Sequence, residues 1–255
     1  MEINIFRWLV FILVLVRMTA FLAASPLFSL RNIPATVKVG LGLVLTLVIF
    51  PQAEGGGLTF SGGLLELAGL VICETMTGIV AGMAASFLFA ALRVGGQLLD
   101  IHVGFAAAQL FDPLSSESNT LLGHFFHILG LVLLFSLDAH HQLITGLLKS
   151  FQLVSLGSLL FSEDIVKELL QVFLLMMEYG LRIALPVMIV LFVFDLVLGF
   201  ISKAVPQFNI LMVGFPLKIC IGILVTALTI PVLGTVVCSL FEIMEKEVSL
   251  LFGFR

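Results

Sequence analysis

Apolar residues run in seven long segments, roughly 8–30, 37–53, 64–92, 119–137, 142–161, 169–201 and 208–241, separated by short polar breaks. The segments are rich in Leu, Ala, Met and Phe. They lack the apolar–polar alternation of a half-buried strand, so each predicts a helix. Spanning a bilayer takes about 20 mainly apolar residues. Segments 64–92 and 208–241 exceed that length, whereas 37–53 falls short of it. A transmembrane barrel would need shorter segments of alternating polarity. The pattern therefore reads as all-α, with roughly four to six crossings by hydropathy.

The breaks are built from recognisable helix and turn signals. In "SLRNIPATVK" (29–38), Asn32 and Pro34 stop one helix and open the next. "PQAEGGGLTFSGG" (51–63) reads as a polar loop, and "FDPLSSESN" (111–119) is an Asp-Pro breaker followed by serines. "LDAHHQ" (137–142) is a short turn. "FSEDIVKE" (161–168) starts a helix, with Ser162 as its cap and acids in the first turn. In "VPQFNILMVGFPLKI" (205–219), Pro206 ends one helix and Asn209 caps another, which Gly214 and Pro216 kink or loosen. The expected result is a helical hairpin. Gln207, Asn209 and Lys218 lie near its bend, where backbone groups freed by the prolines need partners. The tail after Phe241 is amphipathic and expected at an interface. At the N-terminus, Arg7, an apolar run and the small residues of "FLAAS" imitate a secretion signal. Glu2 is acidic, Arg17 interrupts the run, and the apolar pattern continues past Ser25, so the segment is expected to be retained.

Composition narrows the class. Of 255 residues, 60% are hydrophobic and 11% charged, with a net charge of -4. Soluble domains carry about 25% charged residues, so a water-soluble monomer is excluded. The absence of a basic run argues against nucleic acid as a partner. Cys73, Cys220 and Cys238 are scattered through apolar runs and are expected to be small buried hydrophobes. Arg17, Lys38, Glu66, Glu74, Glu178, Arg182, Asp195 and Lys218 lie within or beside apolar segments. Each would cost about 2.5–3.5 kcal/mol at the centre of a lipid-facing helix, so these helices are expected to bury their charges against protein. Glu178 and Arg182 stand i, i+4 with the acid first and are expected to form a buried intrahelical ion pair. Lys and Arg are spread over successive loops, which leaves the orientation of the chain open. In "GIVAGMAAS" (78–86), Gly78, Gly82 and Ala85 or Ser86 allow close approach of a second helix.

Candidate chemistry is sparse. There is no nucleophile turn with matching His and Asp, no HExxH and no phosphate-cradling glycine loop. Asp100 and Asp195 are the acids available for intramembrane proteolysis, and neither lies in a distinctive motif. His124 and His127 share a helix face, and Asp138, His140 and His141 follow a turn later, but one metal site from this set would need another helix to close it. No enzyme, cofactor or metal is expected. The 24 Phe residues, against one Tyr and one Trp, point to rings buried in protein or lining a dry constriction. "GFAAAQLFDP" (104–113) sets Phe105 and Phe111 among small residues beside a breaker. Read from the residues it is a helix end, with an apolar plug that excludes water as the alternative.

Three segments carry a resemblance. "PLFSLRNIPATVKVGLGL" (26–43), "LRVGGQLLDIHVGFAAAQLFDP" (92–113) and "VPQFNILMVGFPLKI" (205–219) resemble, in order, the N-terminal, central and C-terminal signatures of the FliR family of flagellar biosynthetic proteins. The resemblance covers the whole chain. The injectisome counterpart, the SctT family, is similar, but the "RNIP" and "PQFN" forms look flagellar. The resemblance implies a subunit of the flagellar type III export gate, in the bacterial cytoplasmic (inner) membrane at the flagellar basal body. Implied partners are FliP and FliQ, other export proteins such as FlhB, membrane lipid, and the unfolded flagellar proteins that cross the closed channel. Membrane-associated helical hairpins are implied, with a FliP-like part over about 1–182, a FliQ-like hairpin over 183–241 and the tail over 242–255. The resemblance also turns the reading of the central segment. Gly104, Phe105, Ala106, Phe111, Asp112 and Pro113 become the pore plug. Pro206, Gln207, Asn209, Gly214, Pro216 and Lys218 become the hairpin bend that contacts other subunits. A stand-alone secondary transporter remains the alternative, although the matched halves expected of one are not visible.

Overall fold

The computed structural model describes residues 5–28, 33–53, 62–105, 120–157, 163–205 and 210–251. These form helices and no strand: α1 (Ile5–Ala24), α2 (Ala35–Ala53), α3 (Leu64–Val103), α4 (Leu121–Ser136), α5 (Ala139–Leu153), α6 (Glu163–Ala204) and α7 (Ile210–Leu251). Every apolar segment has its helix. α3 continues past the apolar stop at 92 because Arg93, Gln97 and Asp100 interrupt hydropathy without breaking a backbone bond. α7 runs unbroken through Pro216 and Pro231, each of which removes one N–H without ending the helix. Among the described residues, four helices are long and apolar enough to cross a membrane, and α4 with α5 makes a fifth if the bent pair is one span. α2 is shorter, as expected.

The chain divides into two compact units, one of Met1–Leu88, Asp138–Leu174 and Phe241–Arg255, the other of Phe89–Leu137 and Leu175–Leu240. The 182/183 division expected from the resemblance lies inside the continuous helix α6.

The first unit is organised on α1. Val10, Leu13, Val14, Met18, Phe21 and Leu22 recur at helical spacing and are buried, giving α1 an apolar stripe. α2 lies against it where Gly42 meets Thr19. The first half of α3 approaches along the small residues expected to allow it. A Cβ on Gly82 would lie 2.9 Å from the Phe21 carbonyl oxygen, and one on Gly78 would lie 3.0 Å from the Phe21 nitrogen. One turn further, the Ser86 hydroxyl donates to the Ala24 carbonyl.

In the second unit, two consecutive glycines serve two neighbours. Successive helical residues point about 100° apart, so Gly95 faces Gly180 and Ile183 of α6 while Gly96 faces Gly123 of α4. Leu92, Leu99, Phe126, Leu134, Ile183, Val187 and Leu191 fill this core. The cysteines behave unequally: Cys73 is buried, Cys238 is half-buried, and Cys220 is exposed rather than buried. Cys220 sits on the face of α7 that also exposes Leu217, Ile223 and Leu224, and none of the described residues covers that face.

Candidate functional site

α3 ends where its sequence turns to glycine. The Gly104 N–H still donates to the Asp100 carbonyl at 3.2 Å. Gly104 itself has φ +103, a conformation that favours glycine. The Phe215 ring of α7 lies against the open side of Gly104, 3.5 Å from where a Cβ would stand. Phe105 is half-buried. Ala106, Phe111, Asp112 and Pro113 lie outside the described residues.

The chain re-enters at Thr120, whose extended backbone suits an N-cap but whose side chain makes no capping hydrogen bond. The cap comes instead from α3. The Leu122 N–H donates to both oxygens of the Asp100 carboxylate, at 3.0 and 3.2 Å, and the Gly123 N–H donates to one of them at 3.2 Å. Asp100 is 2% exposed, so this carboxylate has exchanged its water for two of the four N–H groups that a helix start leaves unpaired.

At the hairpin, α6 ends at Ala204, with the Val205 N–H closing on the Ile201 carbonyl. Pro206, Gln207 and Asn209 lie outside the described residues, and α7 begins at Ile210. Gly214 is buried and Pro216 exposed. The Lys218 ammonium donates to the Asp195 carboxylate at 2.7 Å, tying α7 to α6. Glu178 and Arg182 form the expected pair at 2.6 Å, but their side chains are 51% and 55% exposed, so a single chain does not bury them. The Arg182 guanidinium also lies 5.1 Å from the Tyr179 ring centroid.

A buried polar knot in the first unit went unpaired in the sequence reading. Among the described residues, Arg17 is the largest fully buried side chain. Its Nε donates to the Glu74 carboxylate of α3, and Nη1 donates to the carbonyls of Ser150 and Val154 at 3.2 and 3.3 Å. The guanidinium lies 4.4 Å from the Phe151 ring centroid, and the other Glu74 oxygen accepts the Gly157 N–H at 2.7 Å. One ion pair thus joins α1, α3 and the end of α5. The available signal was a lone cation and a lone anion, each stranded in an apolar run.

The remaining candidates have ordinary roles. Asp100 caps α4 and Asp195 pairs with Lys218, so the two acids considered for proteolysis are engaged separately. Asp138, at φ 55, brings its carboxylate close to His140 and His141, one donor atom from each lying within 4.8 Å of the others. Asp138 and His141 are exposed and form their own contact at 3.7 Å. His127 sets its ring edge-on to Phe89.

Long apolar helices that carry ion pairs within or between them define a polytopic α-helical membrane protein. Residues 8–244 match the family described as bacterial export proteins, family 1, and the chain belongs to that family. It is 30% identical over 241 residues to the flagellar biosynthetic protein FliR of Bacillus subtilis (strain 168), covering 91% of this chain and 90% of that one. It is 29% identical to the protein of the same name from Escherichia coli (strain K12), covering 94% and 89%. Identity is also 29% to the protein of that name from Pectobacterium carotovorum, covering 89% and 86%.

Proposed function

We propose that this chain is a subunit of the flagellar type III export gate in the bacterial inner membrane. There it forms, with FliP and FliQ, the closed channel through which unfolded flagellar proteins leave the cytoplasm. The observation that carries this reading is the family match across residues 8–244, together with the FliR relatives matched over about nine-tenths of their length. The uneven burial of the spans supports it. Within one 18-residue apolar stretch of each helix, 53% of the residues in α3 are buried by the chain itself, against 22% in α6 and 17% in α7. α6 and α7 present Phe192, Val193, Phe200, Met212 and Leu228 outward, together with the half-exposed Glu178–Arg182 pair. Bare apolar surface alone would suit lipid. Charges set into it are better served by neighbouring subunits.

In this reading the chain conducts protein and performs no chemistry of its own. Phe105 and Phe111 seal the closed path by excluding water, and the small residues around them let the segment move. The bend at 206–218 docks neighbouring subunits. The test is the native mass of the detergent-extracted protein after co-expression with FliP and FliQ. A large complex of unlike subunits is expected. A monomer or homo-oligomer would sink the gate reading and favour a transporter.

A further inference from the structure

We propose that Asp138, His140 and His141 form a binding site for one divalent transition-metal ion of the zinc class at the start of α5. The three residues lie in one short stretch of the first unit, and the contact between Asp138 and His141 is one part of a larger arrangement.

Asp138 occupies the N-cap position of α5, where a carboxylate ordinarily accepts a helix N–H, yet its side chain makes no capping hydrogen bond. The backbone closes the turn instead, with the His141 N–H donating to the Asp138 carbonyl at 3.0 Å. At φ 55 and ψ 18 the residue is left-handed, a conformation that Asp tolerates better than most side chains. Its carboxylate Oδ1 then lies 3.7 Å from Nδ1 of His141. Successive helical residues point about 100° apart, but the His140 and His141 rings are drawn together, with 4.1 Å between their centroids. One donor atom from each of the three side chains lies within 4.8 Å of the other two.

Two imidazoles and a carboxylate suit Zn2+, Cu2+ or Ni2+, whereas Mg2+ and Ca2+ favour oxygen ligands alone. Ligands this close in sequence lose little chain entropy on closing around an ion. The side chains of Asp138 and His141 are 78% and 71% exposed, which leaves room for them to rotate onto one ion and for water to complete its coordination. A helix start carries partial positive charge and disfavours a cation; the full negative charge of Asp138 offsets that.

The experiment uses the full-length chain, purified in detergent through a tag free of histidine, with Co2+ and Cu2+ as probes. The parent should bind one equivalent of Co2+, read from its visible absorption, and release it to Zn2+ but not to Mg2+. Asp138→Asn removes the charge while keeping a residue that accepts the left-handed turn. Loss of a group that merely orients a ligand costs about tenfold in metal affinity, so Asp138→Asn and His141→Ala should each weaken Co2+ binding about tenfold or more. The double variant His124→Ala/His127→Ala should bind as the parent does. Paramagnetic resonance of bound Cu2+ should count two imidazole nitrogens in the parent and one in His141→Ala. Absence of saturable Co2+ binding by the parent would overturn the proposal. So would parent-like binding in either Asp138→Asn or His141→Ala, or binding lost when His124 and His127 are replaced.

Discussion

Replacing Arg17 with Met should destabilise the first unit more than any surface change in the chain. The side chain is fully buried, and its removal strands Glu74, of which 1% of the side chain is exposed. Breaking a buried ion pair from one side costs about 3–5 kcal/mol, mostly from the uncompensated charge that remains. The same change takes a donor from the carbonyls of Ser150 and Val154, of which Ser150 keeps the Val154 N–H at 3.0 Å. Arg17→Met and Glu74→Leu should therefore each cost about 3–5 kcal/mol. The double variant removes both charges and leaves the freed backbone groups, at about 1 kcal/mol each. It should be more stable than either single variant, at about 1–3 kcal/mol below the parent. Trp8 is the only tryptophan and lies on α1, so its fluorescence during reversible detergent–SDS unfolding follows this unit directly. If the two single effects simply add, to within about 0.5 kcal/mol, the knot is not a coupled pair and the reasoning is wrong.

Two further outcomes follow from contacts already described. Lys218→Ala removes a partly exposed pair, so the chain itself should lose only about 0–1 kcal/mol, while recovery of FliP and FliQ on affinity-tagged chain falls. Normal recovery would count against docking through the hairpin arms. Gly82→Val places a side chain against the α1 backbone and should cost about 1–3 kcal/mol in the same unfolding assay. Gly69→Ala, on the same helix with no atom within 4 Å of its Cβ position, should be neutral or gain up to about 1 kcal/mol. Equal effects at the two glycines would show that close packing is not what Gly82 provides.

Much of this protein was legible from local pattern. Helix number and approximate bounds follow from runs of Leu, Phe and Ala between turn residues, because in apolar surroundings the backbone must satisfy itself within each segment. The close approach at Gly78, Gly82 and Ser86 follows from residue size alone, and the Glu178–Arg182 contact follows from i, i+4 geometry. Hydropathy erred where a helix continued through polar residues, as in α3 beyond 92. A long-range partner was what kept the last of these, Asp100, satisfied. Pairings across the chain could not be read at all. Arg17 and Glu74 are 57 residues apart, Lys218 and Asp195 are 23 apart, and Asp100 reaches Leu122 over 22. Sequence marks each of these charges as needing a partner, because a lone charge in an apolar segment is costly. It does not say which partner, since that depends on how helices pack, and packing is decided by the summed fit of many small contacts. Gly95 and Gly96 are neighbours in sequence, yet one meets α6 and the other α4 on different sides of α3, an assignment that residue size alone does not make.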